Sequence, residues 1–495
     1  MKKALKKMRT VFGLIGFLVL CLAAVLLFRT VRFQSVQGGS EEQVVIAVDE
    51  REAALRFAAT LTFPTISLED PAQVDSAAFR ELHEYLEVTY PLVHSNLERQ
   101  VVSDLSLLYT WRGRDPSLNP VVLMGHLDVV PVIPGTETDW TQPPFGGVIA
   151  DGYIWGRGAM DDKSSVLAIL EAVEALIRDG HQPARTIYLA FGHDEEVGGG
   201  YGARVIAEQL SASHHDGLAF VLDEGGAIAD GLMPGIDGPV AIIGISEKGG
   251  VRLELKVEGE GGHSSIPPEH TNIGILASAI TRLEEDQFPA TLDGAALSMF
   301  RHIGPEMEVL PRLMFANLWL FKPLVERELV TNPQTAAMVR TTTAATMIEG
   351  GVKSNVLPTN ATAVVNLRIL PGETVESVTE RVRQIIDDDR VQVSGTGRDP
   401  SPVSDPESPA FKMLARTLRQ VILDDDLVVS PYLVVGGTDA RYYTGLSNNV
   451  YRFLPARIDE SDIARAHGTN ERLSVESFAT SVRYFYQLIR NSDGL

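Results

Sequence analysis

The amino-acid sequence predicts an α/β fold: a mostly parallel sheet flanked by helices, with an inserted α+β lid domain and one transmembrane helix ahead of both. Three observations carry this. Between about residues 45 and 245, short apolar runs such as "VVLMGH" and "TIYLAFGH" alternate with helical patterns such as "DKSSVLAILEAVEALIRDG". That is the rhythm of parallel strands joined by crossover helices. Near Gly249 the period changes to strict alternation in "VRLELKVEGEGGH", the mark of a strand with one face buried. Finally, the run from Val11 to Phe28 carries no charge, and a membrane-spanning helix needs about 20 apolar residues.

Taken in order, residues 1–10 form a basic tail with Lys2, Lys3, Lys6, Lys7 and Arg9, while only Arg29 and Arg32 follow the apolar run closely. The basic excess predicts a cytoplasmic N-terminal side and a translocated remainder. A cleaved signal peptide is the rival reading. Its apolar stretch is normally shorter and is followed by small residues, whereas this run is long and ends in Leu27-Phe28-Arg29. An uncleaved signal-anchor over 11–28 is therefore expected, with a stalk over 29–44.

The first part of the α/β domain is expected over 45–247. Val166, Ile169, Leu170, Val173 and Ile177 share one helical face, Asp161 or Asp162 can cap that helix, and Gly180 can end it. The inserted unit is expected over 248–397. It holds the alternating strand, the helix "TNIGILASAITRLEE", a poorly patterned stretch over 287–340, the strand "ATAVVNLRIL", the helix "TVESVTERVRQIIDD" and the strand "VQVSG". The α/β domain resumes over 398–495 and ends in a helix from Ser474 to Ile489.

A formal net charge of −22 argues against a nucleic-acid partner, which would need clustered Lys and Arg. Cys21 is the one cysteine, so neither an intrachain disulfide nor a cysteine metal cluster can form. Any metal must be held by His, Asp and Glu.

Such residues recur at strand ends. "VVLMGH" ends at His126, with Asp128 two residues on. "TIYLAFGH" runs into Asp194, Glu195 and Glu196, "LAFVLD" ends at Asp223, and Asp161 stands at a helix start. Singly, each has an ordinary explanation as a helix cap, a structural hydrogen-bonder or a solvated turn. Together they fall where ligands bind in open α/β sheets, at the carboxyl ends of the strands. Oxygen and nitrogen donors without thiolate suit zinc, with cobalt or manganese as alternatives.

The motifs "MGHLDVVPV", "GRGAMDDK", "DEEVGG", "GGHSS" and "GGTDAR" resemble those of the co-catalytic zinc aminoacylase and carboxypeptidase family, which includes acetylornithine deacetylase and succinyl-diaminopimelate desuccinylase. Within it the chain is most similar to the carboxypeptidase S (Gly-Xaa carboxypeptidase) and N-fatty-acyl-amino-acid hydrolase branch. The resemblance implies a zinc-peptidase-like catalytic domain holding two zinc ions per subunit. It assigns His126 and Asp223 to one metal each, Asp161 as the bridge, and Glu196 with His467 of "ARAHGTNE" to the second metal. Glu195 would be the general base and Asp128 the catalytic residue that orients His126. His263, Asn355, Arg368, Gly436 and Gly437 match substrate-binding positions. Asp194 is left as a prop for its loop, and 287–340 has no assigned role.

The expected reaction is hydrolysis of a C-terminal peptide bond or an N-acyl-amino-acid amide by a metal-activated water. An aminopeptidase on the same metal site and a catalytically silent binding ectodomain are the alternatives. The expected partners are a small peptide or N-acyl amino acid, the membrane through the N-terminal helix, and a second copy in a homodimer. The expected location is a single-pass membrane protein with the catalytic domain extracytoplasmic, whether periplasmic, extracellular or lumenal.

Overall fold

The computed structural model describes residues 2–39, 41–233, 235–424 and 426–495. The chain starts with α1 (Lys2–Arg32), whose portion Lys6–Arg32 is long and apolar enough to cross a membrane and stands clear of the protein core. Then come α2 (Glu50–Thr60), α3 (Ser76–Thr89), α4 (Pro91–Asn96), β1 (Glu98–Val102), β2 (Ser106–Trp111) and β3 (Val121–His126). The short strands β4 (Val148–Ala150) and β5 (Tyr153–Trp155) precede α5 (Lys163–Arg178), β6 (Ile187–Gly192), α6 (Ala203–Ser213), β7 (Phe220–Asp223), β8 (Ala227–Asp230) and β9 (Pro239–Glu247). The middle of the chain holds β10 (Gly249–Glu258), β11 (Gly262–His263), α7 (Asn272–Glu285), α8 (Gly294–Ile303), α9 (Val309–Ala316), α10 (Leu318–Leu329) and α11 (Pro333–Val339). It continues through β12 (Thr342–Gly350), β13 (Val356–Leu357), β14 (Asn360–Ile369), α12 (Val375–Ile386) and β15 (Val391–Arg398). The last section is α13 (Pro409–Val421), β16 (Val428–Val434), β17 (Val450–Arg452), β18 (Arg457–Ile458), α14 (Glu460–Ile463), β19 (Arg472–Ser474) and α15 (Val475–Ser492).

The large sheet has the order β1-β2-β6-β3-β7-β17-β9-β8-β18, with β16 also paired to β9. Its centre is parallel: β3 pairs with both β6 and β7, and β17 with β7. Every residue of β3 is buried, which explains its unbroken apolar run. Helices α2, α5, α13 and α15 cover one face through Phe57, Leu170, Leu414 and Phe478. Helix α6 covers the other through Ile206 and Leu210. Asp162 is the residue that caps α5, accepting from the Ser165 N–H, and Gly180 turns the chain away at φ +75°. Burying a leucine such as Leu167 or Leu170 contributes roughly 1.5–3 kcal/mol, so the apolar stripe read from the sequence is what fixes α5 to the sheet.

A second sheet, β12-β14-β10-β15, is antiparallel throughout. Along β10, Val251, Leu253 and Leu255 face a core shared with Leu276 of α7 and Val382 of α12, while Arg252 and Glu254 face out. Thr271 caps α7, and Thr374 with Ser377 forms a capping box on α12.

The stretch over 287–340 forms helices rather than irregular chain. Five prolines, at 289, 305, 311, 323 and 333, punctuate it, and those inside α9 and α10 hide these helices from a pattern reading. These helices pack on the large sheet, with Met299, Phe300 and Ile303 against Val240, Ile242 and Val428. The segment read as a stalk also lies on the protein. The Gln37 side-chain amide donates to the Val429 carbonyl (3.1 Å) and accepts from the Val429 N–H (2.9 Å), so it pairs with the open edge of β16.

Candidate metal centre

Because β3, β6 and β7 run parallel, His126, the Asp194–Glu196 turn and Asp223 emerge on one edge of the sheet. Gly125 makes room for the start of α5: a Cβ there would meet Asp162, Ser165 and Val166 at 3.1–3.2 Å. Asp161 thereby reaches His126. The loop between α14 and β19 brings in His467, held at φ +59°.

Asp161 stands between two imidazoles. Its Oδ1 is 2.9 Å from His126 Nε2 and its Oδ2 is 3.0 Å from His467 Nε2. The same His467 nitrogen lies 3.0 Å from Glu196 Oε2. His126, Asp161 and Glu196 each offer one ligand atom, all within 4.8 Å of one another. The His126 Nδ1 side meets the Asp128 carbonyl at 3.0 Å. A neutral ring that donates there directs the Nε2 lone pair at Asp161. That lone pair and the carboxylate can together hold a cation, in place of the proton that otherwise joins them.

The charge balance favours a cation there. Burial raises the pKa of Glu195 well above the usual carboxylate range, and Asp439 adds to it. Glu224 and Asp439 are raised likewise, by burial first and then by Asp161 and Asp223 respectively. Burial also raises Glu196 and Asp223. Glu196 Oε1, Asp162 Oδ2 and both carboxylate oxygens of Asp439 are buried with no hydrogen-bond partner among the described residues. Buried polar atoms are normally satisfied, and repelling acids are what bound divalent cations relieve. The donor set therefore fits metal.

The surrounding residues fix these groups in place. Asp128 is fully buried; its carboxylate accepts from the backbone N–H groups of Glu195 (3.2 Å) and Glu196 (3.1 Å) and from the Ser67 hydroxyl (2.7 Å). It lies 3.4 Å from His126 Nδ1, farther than its own carbonyl. It thus orders the acidic turn as much as the histidine ring. Asp194 accepts from the Tyr201 and Gly202 N–H groups at 2.7 and 2.8 Å and ties the turn to the start of α6. Asp223 accepts from the Ala440 N–H at 2.7 Å.

Four further residues contribute without having been assigned a role from the sequence. Arg157 and Glu471 form a buried ion pair of 2.5 Å, and Asp439 and Glu224 crowd the cluster. Asp439 and Glu471 lie inside motifs already singled out, "GGTDAR" and "ARAHGTNE". Glu224 directly follows Asp223. Arg157 lies in "GRGAMDDK", also singled out, but its motif does not reveal its partner.

His263 and Asn355 sit together on the β11–β13 pair, where the Ser264 N–H donates to the Asn355 carbonyl. Among the described residues, no hydrogen bond or ion pair joins them to the carboxylate cluster. Arg368 lies exposed on β14, its guanidinium over Gly250. The Arg398 guanidinium occupies the space a side chain at Gly437 would take. Burial and the neighbouring Arg441 and Arg368 lower its pKa. Gly436 opens onto a cavity of about 290 Å3, whose lining runs from Asp161, Asp162 and Glu224 to Ile242, Val434 and Leu454.

Imidazoles and carboxylates clustered at the carboxyl edge of an α/β sheet define a metal-dependent hydrolase. The chain belongs to peptidase family M20/M25/M40, whose pattern matches residues 122–491, and is an enzyme of the metallopeptidase and amidohydrolase kind. It is 42% identical to the N-fatty-acyl-amino acid synthase/hydrolase PM20D1 of Xenopus tropicalis, over 97% of this chain and 94% of that protein. It is 40% identical to the probable carboxypeptidase S-like 2 of Dictyostelium discoideum, over 97% and 93%. The fold is shared with the M20 family metallo-carboxypeptidase Sso-CP2 of Sulfolobus solfataricus. There the TM-score is 0.65 at 18% identity, covering 91% of this chain and 100% of the other.

Proposed function

We propose that the protein hydrolyses the amide bond of an N-acyl amino acid whose carboxylate is free, with the C-terminal bond of a small peptide as the closely related substrate. The observation that carries this is the 290 Å3 cavity. It shares Asp161 and Asp162 with the metal-type cluster and is otherwise largely apolar, which suits an acyl chain lying beside the scissile bond. The Xenopus and Dictyostelium relatives are named for these two substrate kinds.

In this reading His126 and Asp223, Glu196 and His467, and Asp161 in common would hold two divalent cations, zinc or alternatively cobalt or manganese. Such ions would supply an acidified water and polarisation of the amide carbonyl. Glu195 takes the proton from the attacking water and hands it to the leaving nitrogen; its raised pKa suits both transfers. Arg368, with Arg398 and Arg441 nearby, receives the substrate carboxylate. Gly436 and Gly437 let the substrate approach the backbone. His263 and Asn355 reach the reacting carbonyl when the small sheet closes over the cluster, or from the neighbouring copy in a homodimer. The small sheet is thus a lid on the catalytic domain. The α1 helix is a single-pass anchor with the basic tail cytoplasmic.

The grouped arginines argue against an aminopeptidase, which has no need to read a free carboxylate. A silent ectodomain would lack a ligand or the base, and His126, Asp161, Glu195, Glu196, Asp223 and His467 are all present.

The test measures amino-acid release from N-acyl amino acids with free or amidated carboxylates, alongside bound metal. Hydrolysis of the free acids only, lost in Glu195→Gln by at least about a hundredfold with metal retained, is expected. Equal cleavage of the amidated substrates sinks the carboxylate reading, and full activity in Glu195→Gln sinks the mechanism.

A further inference from the structure

The helices over 309–329 have no part in the proposed chemistry, yet they are fastened to α1. Asn317, fully buried between α9 and α10, donates from Nδ2 to the Leu26 carbonyl (3.2 Å) and to Thr30 Oγ1 (3.3 Å). The Arg29 Nε–H donates to the Ala316 carbonyl, the Arg312 guanidinium donates to the Phe33 carbonyl, and the Phe33 ring covers Gly304. The contacts fall on the last turns of α1, where the apolar run gives way to Arg29 and Arg32. A helix crossing a bilayer leaves the hydrocarbon at that level.

Much of what α9 and α10 expose beside this exit is apolar. No residue of α9 is buried, and α10 buries only Val325 and Leu329. Val309, Leu310, Trp319 and Leu324 are 79%, 68%, 56% and 52% exposed. A soluble surface rarely gathers such residues into one patch. Trp319 follows Asn317 by two residues and donates its indole N–H to the Asn317 side chain (3.3 Å). It therefore stands at the depth where tryptophan collects in membranes.

We propose that α9 and α10 form a membrane-docking surface, lying in the lipid interface beside α1 with Val309, Leu310, Trp319 and Leu324 among the acyl chains. The proposal rests on reading α1 as a membrane anchor. Its occupant is the bilayer because the exposed apolar residues belong to helices hydrogen-bonded to α1 where its apolar run ends. Docking at a second point fixes the catalytic domain against the membrane instead of leaving it to swing on a tether. The same segment packs through α8 onto β9 and β16, whose Ile242, Tyr432 and Val434 line the apolar cavity.

The test uses the full chain in nanodiscs made with or without bromine-labelled acyl chains. Trp111, Trp140 and Trp155 are at least nine-tenths buried, so lipid quenching of tryptophan fluorescence should come from Trp319. Loss of that quenching in Trp319→Phe and in Leu310→Glu/Leu324→Glu is expected, both changes being at exposed positions. Quenching that is absent in the wild type or unchanged in Trp319→Phe overturns the docking while alkaline carbonate still leaves the protein in the membrane pellet. Release of the wild-type chain by carbonate overturns it for the other reason, loss of the anchor. A fall from dimer to monomer in Leu310→Glu/Leu324→Glu, without any lipid quenching in the wild type, assigns the face to a second copy instead.

Discussion

Arg157 and Glu471 sit at most 1% exposed and clasp two ligand-bearing turns. Glu471 accepts from the Met160 and Asp161 N–H groups at 2.8 and 3.2 Å. Arg157 donates to the carbonyls of His467 and Gly468 at 3.1 and 2.9 Å. Breaking such a pair leaves one buried charge uncompensated, at about 3–5 kcal/mol. Glu471→Gln should therefore lower the unfolding midpoint in denaturant and also weaken zinc binding by roughly 10–100-fold, as expected when groups that orient ligands are lost. Unchanged zinc affinity in a titration of the folded variant would reduce the clasp to a stability element. At this scale the sequence marked the candidate ligands, because strand ends and motif spacing single them out locally. Arg157 lies within "GRGAMDDK", yet its role exists only once residues far apart in the chain meet.

Helix α3 illustrates what a single element adds. Its Asp75 cap accepts from the Ala77 N–H, and its buried side includes Phe79, Leu82, His83 and Leu86. His83 is packed among apolar groups with Nε2 3.0 Å from the Leu105 carbonyl. Burial, and then Arg99, lower its pKa to about 4 from 6.5. The unfolded chain thus binds the proton more readily than the folded one. His83 contributes its full stability above pH 6.5 and loses it as pH falls from 6.5 toward 4. Urea unfolding across that window should fall less steeply with acid in His83→Leu than in the wild type; identical slopes would rule this out. Helices with clean stripes, such as α5, α7 and α15, were legible in the sequence because burial of one face dictates the pattern. Helices α9 and α10 were not, because Pro311 and Pro323 fall inside them and much of their exposed surface is apolar.

In the molecule as a whole, one edge of the large sheet concentrates acids that burial and mutual repulsion disfavour. The folded state should therefore depend on cations bound at this cluster. Calorimetry of metal-stripped protein should show a lower melting temperature that zinc restores, with about 2.7 kcal/mol gained at a hundredfold excess over the dissociation constant. In Asp161→Asn most of that gain should vanish; a zinc-independent melting temperature in the wild type would refute the dependence.

The place of β17 has a consequence for how the protein is made. Val450 pairs with Val221, and Arg452 of the same short strand faces Gly244, so the middle of the sheet is supplied from near the end of the chain. While the ribosome is still adding residues up to that point, β7 and β9 are out of the exit tunnel with neighbouring edges open. Such edges invite pairing with other nascent chains and recognition by chaperones. A premature stop just ahead of Val450 would leave most of the candidate metal ligands in the polypeptide and yet leave the sheet that aligns them unclosed. Its expected fate is degradation rather than reduced activity.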